Sequence, residues 1–329
     1  MKGKIMTLVA LAALLAFAGS AMAEDINAYM GTSPDNNAKI VAFVKDKTGI
    51  TVNQTFQSFG EIEARVKAEA PNFNADMIVG CGSPLAFMAK KNGWSDPYVS
   101  PAWKGVPEVF MDPQGAWYNI GNFSFVLVGN KDRLKKAGYE MPKSWKDLLD
   151  PKWKGEIIMP SPLSSGTANM MRYSWLALYG DAGGWKFLED LDKNIAYYTR
   201  SGNAPTDLVG RGEFILGVTS DENVKKRIDD GYPLIWSIPV EGTGYDGTFA
   251  LILKGTKKLA ACKKVIDVLG SQEFSTLMAG IGYLTPRPAP NALYGTTPPK
   301  YIKLDLGKAA EDRPKNNDIW KQKFRTDFK

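Results

Sequence analysis

The chain has 329 residues, with 41 Lys plus Arg against 35 Asp plus Glu, a formal net charge of +6, and no histidine. The basic excess is scattered in pairs such as Lys90-Lys91, Lys135-Lys136 and Lys263-Lys264. It reads as solvated surface rather than as the stripe a nucleic-acid binder needs. Without imidazole, the usual catalytic triads and most zinc sites are excluded.

Residues 1–23 read as a secretory leader: Lys2 and Lys4 form a basic start, Met6 to Ala18 is apolar, and Ala21-Met22-Ala23 is a small-x-small cleavage site. Cleavage after Ala23 predicts a secreted, periplasmic chain beginning at Glu24, with a net charge of +4 once Lys2 and Lys4 are gone. Cys81 and Cys262 are its two cysteines. They can form a disulfide only if the fold brings their Cα atoms within reach, which the sequence leaves open.

A strand at Ile26 to Met30 leads to a helix capped by Ser33, with Pro34 at its first position and an apolar face of Ile40, Phe43 and Val44. After Gly49 the pattern repeats: strand Ile50 to Phe56, helix Glu61 to Ala70, strand Asp76 to Val79, then Ser83-Pro84 opening another helix that stops at Asn92-Gly93. Successive βα units with matching caps predict a parallel sheet. Residues 94–118 are irregular, and Asn119 starts an extended run that can carry the backbone into a second domain. There, a short helix spans Trp145 to Trp153 and is broken by Pro151, followed by strand Gly155 to Met159. Next come helices Thr167 to Tyr179 and Trp185 to Leu191, separated at Gly180, strand Asn194 to Thr199, and helix Ala204 to Arg211. Phe214 to Thr219 is an apolar strand of the kind buried on both faces. Helix Glu222 to Asp230 and strand Leu234 to Ile238 follow it. Residues 241–247 are a flexible return crossing before strand Thr248 to Leu253. Helices Lys257 to Leu269 and Gln272 to Ala279, a Pro-rich stretch, and a terminal helix at Ile319 to Phe328 complete the chain. The fold class is therefore α/β, with two lobes and two hinge crossings: residues 24–120 with 246–329, and residues 121–245.

Four strands end at a Ser/Gly/Thr turn that opens a helix. The turns hold Thr32 and Ser33, Gly82 and Ser83, Ser165, Gly166 and Thr167, and Ser201 and Gly202. At the carboxyl edge of an open α/β sheet, such turns converge exposed amides and hydroxyls on one ligand, preferably an oxyanion. Ser164-Ser165-Gly166-Thr167 is the strongest of them, although any one alone is also what an ordinary helix cap looks like. Asp221, Glu222 and Glu241 either complement the next helix dipole or accept hydrogen bonds from the far end of a bipolar solute. Residues 242–247 match G-x-G-x-x-G by letter but lead into a strand, so they form no dinucleotide fingerprint. Walker A, G-x-S-x-G and S-x-x-K motifs are all missing, which leaves no activated nucleophile.

The segments ADMIVGCGS (75–83), SWKDLLDPKWKGEI (144–157), PLSSGTA (162–168), YTRSGNAP (198–205), RGEF (211–214) and EGTGY (241–245) together resemble the periplasmic substrate-binding proteins of ABC importers. Their group includes ferric-ion, phosphonate and sugar-phosphate binders. The resemblance covers nearly all of the chain after the leader. It implies the type II periplasmic-binding-protein fold, a non-catalytic monomer without cofactor or resident metal, and delivery of a small anionic solute to an inner-membrane permease. It also implies phosphate contacts at Ser165, Gly166, Thr167 and Ser201. Ferric members hold iron with adjacent tyrosines, often with a histidine, where this chain has Thr219-Ser220-Asp221-Glu222-Asn223. Tyr197-Tyr198 falls in a strand, where neighbours face opposite sides. An organophosphate or phosphonate is therefore the expected ligand, with ferric ion second and a secreted hydrolase using a carboxylate pair third.

Overall fold

The computed structural model describes residues 25–295 and 299–326. The leader and its cleavage site lie outside them, and no helix among the described residues is long and apolar enough to cross a membrane. Among the described residues, nine strands form one continuous sheet: β1 (Ile26–Met30), β2 (Val52–Phe56), β3 (Met77–Cys81), β4 (Tyr118–Asn130), β5 (Ile157–Pro160), β6 (Ile195–Thr199), β7 (Leu216–Ser220), β8 (Leu234–Ser237) and β9 (Tyr245–Ile252). The order is β2-β1-β3-β9-β4-β7-β5-β6, with β8 also on β4. Strands β1, β2 and β3 are mutually parallel, as are β5, β6 and β7, while β9 and β4 run antiparallel between the two sets.

The long strand β4 joins the two sets. Tyr118 to Ser124 pairs with β9, and Phe125 to Asn130 pairs with β7 and β8. Its chain of buried residues, Phe123, Phe125 and Leu127 among them, runs through the largest apolar cluster. The return crossing, expected to be flexible, is instead well bonded: Thr243 N–H donates to the Lys300 carbonyl at 2.9 Å, Phe125 N–H to the Gly244 carbonyl at 3.1 Å, and Ile302 N–H to the Thr243 carbonyl at 2.8 Å.

Among the described residues, the sheet is flanked by helices α1 (Pro34–Thr48), α2 (Phe59–Glu69), α3 (Ser83–Lys91), α4 (Lys131–Ala137), α5 (Gly166–Asp192), α6 (Ala204–Gly210), α7 (Asp221–Asp229), α8 (Leu259–Leu269), α9 (Gln272–Gly280) and α10 (Leu306–Lys323). Several differ from expectation. Trp145 to Trp153 is broken at Pro151 as expected, but its two pieces are 3-10 turns rather than α-helix. The two helices expected around Gly180 are borne out within the span labelled α5, which is divided at Gly180, where φ 73° and ψ 161° are not helical. Helix α4, with an Asn130 cap and a left-handed Gly138 stop, follows the extended run in a segment to which the sequence reading assigned no element. Helix α10 begins thirteen residues before the expected Ile319, at Leu306, with Asp305 accepting from Lys308 N–H at its start. Residues 327 and 328 of the expected helix lie outside the described residues.

Cys81 and Cys262 are both buried free thiols. Burial raises both thiol pKa values, that of Cys262 to about 12.

Candidate functional site: a cleft lined by helix starts

The expected single sheet edge is not what forms: β1 and β2 run one way and β5, β6 and β7 the other, so their carboxyl ends face each other near the middle of β4, and the helix starts that follow them surround a small cleft. Thr32 and Ser33 come from the start of α1, Ser58 and Phe59 from α2, Ser165 and Thr167 from α5, Ser201, Gly202 and Asn203 from the turn before α6, and Glu222 from α7. Phe56, Phe123 and Tyr283 complete the walls. Among the described residues no Lys or Arg lines this pocket. The donors its lining can offer an anion are therefore hydroxyls, amide N–H groups and helix dipoles.

Each cap is built locally. Ser33 Oγ accepts from Asn36 N–H at 3.3 Å and Ser165 Oγ from Ala168 N–H at 3.2 Å. Ser58 and Glu61 form a reciprocal capping box, with Ser58 N–H donating to Glu61 Oε2 at 3.0 Å and Glu61 N–H to Ser58 Oγ at 3.3 Å. Ser201 Oγ accepts from Asn203 N–H at 3.3 Å. The inner pocket holds about 30 Å³ and opens onto an outer one of about 450 Å³. They share Ser33, Phe56, Ser201 and Asn203, and the outer one adds Asp35, Asp207, Asn223, Lys226 and Arg227.

The structure thus brings together Thr32, Ser33, Ser165, Thr167, Ser201, Gly202 and Glu222. Five other expected site residues do not line the pocket. At Gly82 and Ser83, helix α3 already holds an internal anion: Asp246 Oδ1 accepts from Ser83 N–H at 3.1 Å and from Gly247 N–H at 2.8 Å. Burial pushes the Asp246 carboxyl up to about 6. Asp221 is fully buried beneath the cleft, accepting from Ser124 N–H at 3.0 Å, Glu222 N–H at 2.9 Å and Tyr294 Oη at 2.7 Å. Glu241 is engaged elsewhere by Ser144 Oγ at 2.5 Å and Trp145 N–H at 3.4 Å. Gly166 packs against Phe59. The acids therefore do not assemble as a separate pole: only Glu222 reaches the pocket, and it stands among the hydroxyls.

Sequence reasoning missed Ser58, although S-F-G-E at 58–61 carries the S-x-x-E capping-box signal. Phe59, Phe123 and Tyr283 carried no such local signal. The phenols of Tyr197 and Tyr198 lie outside the pocket: Tyr198 donates to Asp192 Oδ1 at 2.6 Å, and the Tyr197 ring packs on Phe214. Among the described residues no three His, Cys, Asp or Glu side chains are grouped to hold a metal.

The two sides of the cleft touch. Helices α2 and α5 meet at their starts, where a Cβ on Gly60 would fall inside 3.0 Å of the Ser164 carbonyl oxygen and one on Gly166 would lie 2.9 Å from Phe59 Cβ. Two ion pairs span the same gap: Lys226 Nζ to Asp35 Oδ2 at 3.1 Å and Arg200 Nε to Glu61 Oε1 at 3.6 Å.

Residues 72–307 match the family described as bacterial extracellular solute-binding protein, and the chain belongs to that family, whose members are binding proteins. It is 34% identical over 221 residues to an uncharacterized protein of Haemophilus influenzae, a match taking in 65% of this chain and 63% of that one. The chain thus spans less than two thirds of that relative. It is 28% identical over 280 residues to a protein of Sinorhizobium fredii named "Probable ABC transporter periplasmic-binding protein y4fP", over 80% of this chain and 74% of the other. Among solved structures it is similar to the periplasmic binding protein AfuA from Actinobacillus pleuropneumoniae with fructose-6-phosphate bound. There the TM-score is 0.84 and the identity 26%, over 92% of this chain and 99% of that one. The fold is also shared with the apo ferric ion-binding protein A of Pasteurella haemolytica, at TM-score 0.75 and 20% identity, over 92% of this chain and 99% of that one.

Proposed function

We propose that this chain is the secreted solute-binding subunit of an ABC importer, capturing a small organic oxyanion, an organophosphate or phosphonate, and passing it unchanged to a permease in the inner membrane. The observation that carries this reading is the cleft itself. Helix starts and hydroxyls surround a pocket that no lysine or arginine lines among the described residues, a chemistry suited to an oxyanion held by neutral donors. The small inner pocket takes the oxyanion, and the larger outer one takes the rest of the solute.

In this reading residues 24–120 with 246–329 form one lobe and residues 121–245 the other, and closure brings Ser33 and Ser58 against Ser165, Thr167 and Ser201. Hydrogen bonds to a charged group contribute roughly 1.5 to 3 kcal/mol each. A handful of them, less association costs of about 4 to 15 kcal/mol, leaves room for the ~8 kcal/mol of micromolar capture. Nothing among the lining residues forms a nucleophile and base pair, so the ligand leaves as it entered.

Isothermal titration with fructose 6-phosphate, 2-aminoethylphosphonate, inorganic phosphate and ferric citrate tests the proposal. Micromolar binding of a phosphorylated probe, lost in the Ser165→Ala/Thr167→Ala double variant, is the expected result. Binding of ferric citrate alone, with a coloured complex, overturns it in favour of iron as cargo. N-terminal sequencing of the exported protein is expected to read from Glu24.

A further inference from the structure

We infer that Glu222 meets the bound oxyanion as a neutral carboxylic acid, its Oε2 hydroxyl donating to a ligand oxygen, so that capture takes up a proton. The inference rests on the oxyanion reading above and adds what the acid in the middle of the cradle does.

Three observations carry it. Glu222 is 7% exposed and lines the inner pocket with Ser33, Ser165, Thr167 and Ser201. Its Oε1 accepts from Ser220 Oγ at 2.9 Å, whereas its Oε2 is buried without a hydrogen-bond partner. No lysine or arginine among the described residues lines the pocket to balance a carboxylate there. An ionised Glu222 would face a bound anion across a pocket of about 30 Å³, a like-charge contact in a poorly solvated space. Protonated, the same oxygen becomes a donor, as every other polar group in the cradle can be.

The neighbours decide which acid keeps the proton. On the same turn, Asp221 receives three hydrogen bonds, from Ser124, Glu222 and Tyr294. Glu222 receives one. Asp221 therefore ionises first, and in this arrangement, with the two sides of the cleft touching, burial together with its charge pushes the Glu222 carboxyl well up; with the cleft open the carboxyl is solvated and ionised, so closure on the ligand is the step that takes up the proton. The other element packed on Glu222 is the turn after α9, where Gly282 approaches its Cα and Tyr283 contributes a buried phenol. That phenol is itself raised by burial and by Glu222, so it supplies no charge. Tyr294 reaches the pair through Asp221 and is likewise neutral, its pKa raised by burial. The proton comes from solvent, is held on Oε2, and returns to solvent on release; no covalent bond to the ligand forms.

The test is titration calorimetry with fructose 6-phosphate in two buffers of different ionisation heat, from pH 6 to 8, on wild type and Glu222→Gln. The glutamine keeps a donor at this position and removes the titration, and the ligand's own ionisation is common to both proteins. Wild type is expected to take up as much as one proton more per ligand. Its Kd should weaken relative to the variant by up to about tenfold per pH unit within that window. Equal proton counts with parallel pH profiles, or net release, overturn the inference and leave the oxyanion reading standing. Failure of wild type to bind any phosphorylated probe overturns both. If the variant does not fold, the ligand-bound minus free infrared difference spectrum of wild type decides. A new protonated-carboxyl carbonyl stretch supports the inference, and carboxylate bands alone refute it.

Discussion

The contact between the starts of α2 and α5 makes Gly60 a test of whether the two sides of the cleft close on the ligand. A methyl group at residue 60 would fall inside 3.0 Å of the Ser164 carbonyl oxygen, which is backbone and cannot rotate away, whereas ordinary contact begins near 3.4 Å. The sides must therefore part by at least several tenths of an ångström. Hydrogen bonds bridging a ligand between them then stretch past the ~3.2 Å at which such bonds weaken. Loss of one bond to a charged group, roughly 1.5 to 3 kcal/mol, corresponds to about 10- to 150-fold in Kd. Because residue 60 is inside the first turn of a helix, alanine should not harm the isolated fold; it is the better helix former by up to about 1 kcal/mol. Gly60→Ala is thus expected to melt at or slightly above the wild-type temperature by calorimetry while binding fructose 6-phosphate at least tenfold more weakly by titration. Wild-type affinity in a normally folded variant would refute the argument that these helix starts approach each other on capture.

Thr167→Ala removes a cleft hydroxyl that caps no helix, so it is expected to weaken phosphate-ester binding by about tenfold or more with an unchanged melting temperature, whereas Ser165→Ala also loses a cap and about 1 kcal/mol of stability. Lys226→Ala breaks the ion pair to Asp35. Since Lys226 is partly exposed and also pairs with Asp230, its effect on Kd should stay within about fivefold and vanish at high salt, checked by titration across salt concentrations. Asp246 is raised in the folded state from 3.8 to about 6 by burial, so its contribution to stability is fully present below pH 4 and is lost as pH rises through 6. The whole effect is roughly 3 kcal/mol. Urea unfolding of Asp246→Asn between pH 4 and 7 is expected to show a flatter profile than wild type, and an unchanged slope would count against the assignment.

The parts of the site that could be read from sequence are those fixed by neighbours in the chain. Ser33 before Pro34, Ser165 before a helical run and Ser201-Gly202 after a strand announce helix starts at strand ends, and the structure gathers all three turns. What stayed hidden depends on distant partners. The Gly82-Ser83 turn looks like the others, yet Asp246, 163 residues away from Ser83 in the chain, occupies its amide. Asp221 and Glu222 are adjacent in sequence but diverge, one toward Ser124 on strand β4 and one into the pocket. The break at Pro151 was legible, but the 3-10 form of the turns on either side of it was not. The early start of α10 was obscured by its polar composition and by Pro314 within it.

That last helix also bears on how far the molecule can move. Its first half is fastened to one side, by ion pairs from Arg313 to Glu63 and from Lys91 to Glu311. Its second half is fastened to the other, through Arg172 on the Asn316 carbonyl at 3.0 Å, Trp320 against Tyr198, and Lys323 on Glu189 at 2.5 Å. Between the two sets of fastenings sits Pro314, which lacks the N–H that would tie it to the preceding turn. Joined by β4 and β9 alone, the two lobes proposed above would be free to swing widely. A strap of this kind, jointed at Pro314, would on that proposal hold them to a short rocking stroke rather than a broad gape.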